Sequence, residues 1–289
     1  MSIVVNTTWK TEPEIFMGTI THLTEIPNGE GLPVLELTIE NSFEQYQVVM
    51  FQPHRDLQLT KIPDCAVQLV LWEGERGHAV SRSDTVILLD TPDTLLHLPE
   101  SKLVCPDLVV DIELFIDACP VQSLADFVRR VLGRPSVGLC FLNGVMQEDG
   151  LQQPGCLARH SLEVAARSFD ACRGYPDEER WVAAVAGLLH GVGRIELSDS
   201  KPVDYLKVAL KGLGLLAEDL KRLAQELPEA ARTIQFIIAS MYRIGSPTQP
   251  DPKAMVVQSS HLLAAQLQSE LMHTASTHLA SASTRLTSS

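Results

Sequence analysis

Residues 15–89 carry short strand-like apolar runs, and a helical repeat takes over further along the chain. Val34 to Ile39 places Leu35, Leu37 and Ile39 on one side and Val34, Glu36 and Thr38 on the other, the period-two mark of a strand with one covered face. Ile15–Ile26, Phe43–Phe51, Ala66–Trp72 and Thr85–Leu89 are further runs rich in β-branched and aromatic residues. Pro27-Asn28-Gly29-Glu30-Gly31 marks a turn, and Gly74 and Gly77 mark a hairpin between 72 and 79. Five strands at this spacing predict a small β-barrel of the OB type over residues 1–90, with a generic β-barrel or a β-sandwich as the alternative.

Residues 91–120, interrupted by Pro92, Pro99, Pro106 and Pro120, are expected to be a linker. The helical repeat then begins. Ser123-Leu124-Ala125-Asp126 reads as a capping box, with Leu124, Phe127, Val128, Val131 and Leu132 on one face; Gly133 and Pro135 end that helix. Residues 136–153 are expected to be loop. Helices are predicted over 161–172, with Leu162, Ala165, Ala166 and Phe169 inward, and from Asp177 to His190. The latter is apolar nearly all round, which predicts a central, buried helix. Segments 202–213, 217–226, 228–243 and 253–273 complete a helical domain over 121–273, and the Ser/Thr/Ala-rich 274–289 is expected to be a disordered tail. The fold class is therefore α+β multidomain: an OB-like β-barrel followed by an all-α domain.

Charge narrows the partners. The chain carries a net charge of −13, and residues 1–90 hold five basic side chains against thirteen acidic ones. A single-strand binder needs a positive groove with stacking aromatics, so the acidity counts against nucleic acid on the β domain. No apolar run approaches the about twenty residues that span a bilayer, and the first residues lack the pattern of a signal peptide. The six cysteines are scattered, without a C-x-x-C pair, as expected of reduced thiols. The expectation is a cytoplasmic protein with no membrane partner.

The chemistry sits where two histidines flank apolar helical segments. His160 opens one helix and His190 closes the next, a spacing that lets two imidazoles meet inside a helical core where a metal can bridge them. The stretches PGCLARHSLEVA (154–165) and ERWVAAVAGLLHGVGRIELSD (179–199) resemble the HD superfamily of metal-dependent phosphohydrolases. They are most similar to the helical domain of TraI-like (MobH-type) conjugative relaxases. The preceding β domain is similar to the OB module of YhaM-type exoribonucleases.

That resemblance implies a metal held by histidines and carboxylates, and a DNA-processing or mobile-element setting. It places His160, His190 and His261 at ligand positions, Arg194 where a basic residue meets phosphate, and Asp199 at the family's downstream aspartate. The departures are specific: Gly191 stands for the aspartate of the His-Asp pair, and His261 for the last aspartate. The implied cofactor is one divalent transition metal (zinc, nickel, manganese or iron) on three imidazoles. The expectation is a degenerate HD protein, without phosphodiesterase activity, that binds single-stranded nucleic acid, a nucleotide or a partner protein. The alternatives are a metal-dependent phosphohydrolase or nuclease with a His-rich site, and an acidic protein-interaction scaffold.

Overall fold

A computed structural model of the chain describes residues 13–26, 34–51, 66–73, 79–82, 86–89, 92–146, 153–196, 204–241 and 251–286. It is an α+β structure with two compact units. One comprises residues 1–114 and 129–139, the other 115–128 and 140–289.

Among the described residues, the first unit is built on six strands: β1 (Glu14–Ile26), β2 (Val34–Glu40), β3 (Gln45–Phe51), β4 (Ala66–Glu73), β5 (Ala79–Arg82) and β6 (Ile87–Leu89). β1 is long enough to serve two neighbours. Its residues 14–19 pair antiparallel with β4, and residues 19–26 pair antiparallel with β2, with an irregularity between Ile20 and His22. β2 pairs with β3, β3 runs parallel to β5, and β5 pairs with β4, so the ladder returns to β1. β6 is an added edge on β4.

The alternation seen in the sequence sets the core. Leu35, Leu37 and Ile39 from β2 meet Phe16 and Ile20, Val48 and Met50, and Val67, Leu69 and Leu71. Tyr46 packs edge-on against Phe16, with ring centroids 5.0 Å apart. The other face of β2 is covered toward its end: Glu40 is buried and accepts hydrogen bonds from Ser101 N–H at 2.5 Å and Ser101 Oγ at 2.6 Å. The short β5 went unread, because four residues are too few to show a period.

The span 91–120, expected as linker, is instead largely ordered into helix. 3-10 turns lie at Leu95–His97 and Glu100–Lys102, and α1 runs Asp107–Asp117. Pro106 stands just ahead of α1, where a proline is tolerated and does not break the helix. Glu113 of α1 is buried, accepting from Leu95 N–H at 2.7 Å and from Arg129 Nε and Nη2 at 2.9 and 2.7 Å. Arg129 lies on α2 (Gln122–Leu132).

α2 starts one residue ahead of the expected cap. The Val121 carbonyl accepts from Leu124 and Ala125, while the Ser123 hydroxyl donates to Glu226 at 2.5 Å. Residues 136–142, expected as loop, belong to α3 (Pro135–Leu142): proline here opens a helix, its fixed φ suiting the first turn.

The second unit is helical, with α4 (Cys156–Ala171), α5 (Asp177–Leu189), a 3-10 turn at Val192–Glu196, α6 (Tyr205–Glu226), α7 (Pro228–Ser240) and α8 (Pro252–Leu286). As expected, α5 is buried along Trp181–Leu189. α6 joins the two predicted segments into one helix, since an exposed Gly214 costs only about 1 kcal/mol against alanine and packing outweighs it. Its N-cap is Asp204, which accepts from Lys207 N–H at 3.2 Å. α8 continues past His273 to Leu286, there being no glycine or proline between 253 and 286 to stop it. Among the described residues, no helix is long and apolar enough to cross a membrane.

Candidate metal centre

α4 supplies the first imidazole. Gly155, at φ 83°, turns the chain into the helix through a left-handed conformation that favours glycine. The buried stripe of α4 is then Leu157, His160, Ser161, Val164, Ala165 and Ser168. Of the expected face, Leu162, Ala165, Ala166 and Phe169, only Ala165 is buried. Ala165 and Ser168 are small where α5 comes close: a Cβ added at Gly187 would lie 3.2 Å from Ala165 Cα and 3.3 Å from Ser168 Oγ. Phe169 instead packs beside Trp181, centroids 4.7 Å apart, with the Arg180 guanidinium 3.8 Å above its ring.

The close crossing of α4 and α5 brings His190, at the end of α5, toward His160. α8 packs on both helices and adds His261. The three rings are 0%, 1% and 8% exposed for His160, His190 and His261, so each is enclosed. Ring centroids are 5.5 Å apart for His160–His190, and 4.9 Å for each pair with His261. His261 Nδ1 lies 2.8 Å from His160 Nε2 and 3.1 Å from His190 Nε2. The remaining ring nitrogen of His190, Nδ1, lies 2.6 Å from the Gly187 carbonyl.

This environment disfavours charge. Burial first, then the neighbouring His261, lowers the His160 pKa from 6.5 to about 3; Gln268 on α8 pulls the other way, and Arg194 adds to the lowering. Burial also pushes His190 well below the ordinary value, helped by His261, His160 and Arg194 and opposed by the Gly187 carbonyl. The two rings are neutral near pH 7, the state in which imidazole ligates metal.

Ligand atoms of His160, His190 and His261 all lie within 4.8 Å of one another, and among the described residues the group contains no carboxylate. Zinc–imidazole bonds of about 2.0–2.1 Å put ligand nitrogens about 3.3 Å apart, so small ring movements suffice to admit an ion. The cluster can hold a metal ion. An all-nitrogen set suits zinc, nickel, copper or iron; magnesium and calcium prefer oxygen.

Arg194 belongs to the same locality. It sits in the 3-10 turn after His190, is 8% exposed, and its charge is felt by both His160 and His190. Gly193 lets that turn lie against α6. A Cβ there would overlap the Val208 carbonyl oxygen and come 2.5 Å from Gly212 N. The candidate Asp199 lies outside the described residues.

Two neighbours had no sequence signal of their own. Ser161 Oγ is 3.5 Å from where a Gly191 Cβ would stand, and Gln268, two turns beyond His261 on α8, acts on His160. The seven-residue interval from His261 was the available clue to Gln268.

No protein-family model, curated protein or solved structure matches the chain.

Proposed function

We propose that the second unit is an HD-like domain whose mixed histidine–carboxylate site has become all-imidazole. It holds one transition-metal ion and binds a phosphate-bearing ligand, a nucleotide or a nucleic-acid end, without cleaving it. One observation carries this reading: three histidines on α4, α5 and α8, at the positions where the family resemblance expects ligands, converge in one buried group. His160, His190 and His261 would hold the ion, which when bound supplies Lewis acidity toward a coordinated oxygen. Arg194 offers a guanidinium, whose planar fork suits phosphate oxygens. With Gly191 beside His190, the chain lacks the carboxylate that in the family bridges a second metal and orients water, which is why binding is favoured over hydrolysis.

In this reading the first unit is an OB-type barrel, supported by the strand pairings that run β1–β2–β3–β5–β4 and back to β1. Its acidity counts against a phosphate-bearing ligand on the barrel, which favours the helical unit.

The test is elemental analysis of the purified chain, followed by nuclease and nucleotidase assays with Mn²⁺, Ni²⁺ or Zn²⁺ and titration with nucleotides and single-stranded DNA. Bound metal with saturable nucleotide or DNA binding and no turnover is expected. A native chain that neither contains nor takes up metal ends the reading. Metal-dependent cleavage lost in His190→Ala would establish the hydrolase instead, and metal without any phosphate ligand would favour the scaffold.

A further inference from the structure

One arrangement of protons makes every contact in the three-ring chain a hydrogen bond. Gly187 O can only accept, so the His190 nitrogen facing it at 2.6 Å, Nδ1, carries a hydrogen. In the neutral ring His190 Nε2 is then a lone pair. For this 3.1 Å contact to be a hydrogen bond, His261 Nδ1 is the donor. The same Nδ1 stands 2.8 Å from His160 Nε2, which then accepts as well and leaves its own hydrogen on Nδ1, a buried atom that no acceptor among the described residues reaches. Two lone pairs thus converge on one hydrogen, that of His261 Nδ1.

Such an arrangement is a ligand set with a hydrogen in the middle. We propose that this shared hydrogen holds the place of the metal: a nitrogen-preferring divalent ion of the zinc class is bound by His160 Nε2, His190 Nε2 and His261 Nδ1, and His261 passes from its Nδ1–H to its Nε2–H form as the ion enters. The proposal rests on the metal-binding reading above and adds which atoms ligate and which ring changes. The step balances without a redox partner. The Nδ1–H bond breaks, its electron pair goes to the metal, and a proton exchanged through water forms the Nε2–H bond. His160 and His190 already present Nε2 lone pairs and keep their Nδ1 hydrogens, the one on His190 held by the Gly187 carbonyl. An aspartate at 261 has no ring tautomer, so the exchange is specific to the histidine found here.

The experiment uses the full chain labelled with ¹⁵N-histidine, stripped with a chelator and then loaded with Zn²⁺, read by long-range ¹H–¹⁵N correlation of the rings. The ring signals are assigned from the backbone of a uniformly labelled sample and checked with His261→Gln. Before zinc, His261 is expected in the Nδ1–H form. After zinc, its Nδ1 shows a metal-bound shift and its Nε2 carries the hydrogen, while His160 and His190 remain Nδ1–H. Zinc bound with His261 still Nδ1–H, or ligating through Nε2, overturns the inference and leaves the metal site standing. A stripped wild-type chain that takes up no zinc overturns both.

Discussion

His261 Nδ1 lies 2.8 Å from His160 Nε2 although 101 positions separate the two residues. A contact of that span exists only when α4 and α8 are packed together, so metal affinity and integrity of the helical unit are linked. His160→Ala, His190→Ala and His261→Ala should each weaken Zn²⁺ binding well beyond about 10-fold, since loss of a mere supporting partner already costs about 10–100-fold. Competition with a chromophoric chelator measures this. Affinity unchanged from the wild-type chain in all three variants would place the ion elsewhere.

Acid should destabilise the metal-free chain. The unfolded His160 titrates near 6.5, whereas in the fold its pKa is about 3. Between those values the unfolded chain binds the proton and the folded chain does not, so the contribution is complete above about pH 6.5 and is lost as pH falls toward about 3. His190 adds in the same direction, being lowered by its burial. Urea midpoints of chelator-treated protein should drop between about pH 7.5 and about pH 5, with a flatter dependence in His160→Gln. Parallel pH profiles for the two proteins would refute this.

Restoring a carboxylate should change metal choice. In Gly191→Asp the new Cβ would stand 2.9 Å from Leu157 Cδ1, the mobile end of a side chain, so Leu157 must rotate. The fold should survive with a loss of about 1–3 kcal/mol. An oxygen donor beside His190 favours harder ions, so affinity for Mn²⁺ should rise relative to Zn²⁺. Competition titrations with the two ions give the ratio, and an unchanged ratio would count against Gly191 facing the site.

Gly193→Ala should be worse tolerated, because its Cβ meets main chain, Val208 O and Gly212 N, rather than a rotatable side chain. A loss of at least about 2 kcal/mol in urea unfolding is expected, together with weaker metal binding as the turn after His190 is displaced.

In the first unit, Glu113→Ala would leave Arg129 buried without its carboxylate and the Leu95 N–H without its acceptor. A loss of about 3–5 kcal/mol should follow. Glu113→Leu combined with Arg129→Met should recover most of it, because removing both charges also removes the desolvation penalty. Chemical denaturation of the three proteins decides the matter.

Several elements were legible before the structure. Leu35, Leu37 and Ile39 announced β2 by their alternation, and the apolar run 181–189 announced a buried helix. His160 and His190 stood out by their place at helix edges, and His261 by its place in the family resemblance. What hid the rest was local punctuation overruled by packing. Pro106 and Pro135 look like breakers yet stand before or at helix starts, and Gly214 sits within α6 without ending it. The inward face of α4 was misjudged for a related reason. Ser161 and Ser168 are poor core residues by hydrophobicity, yet both are buried, facing Gly191 and Gly187 of the neighbouring segment.

The partition of the chain has a practical corollary. Passing from one unit to the other happens at 114/115, 128/129 and 139/140, inside α1, α2 and α3 in turn. A fragment cut anywhere in the 115–128 stretch strands residues 129–139 away from the strands they belong with, so no single truncation yields either half whole. Anyone wishing to study the histidine cluster by itself must splice the polypeptide rather than shorten it.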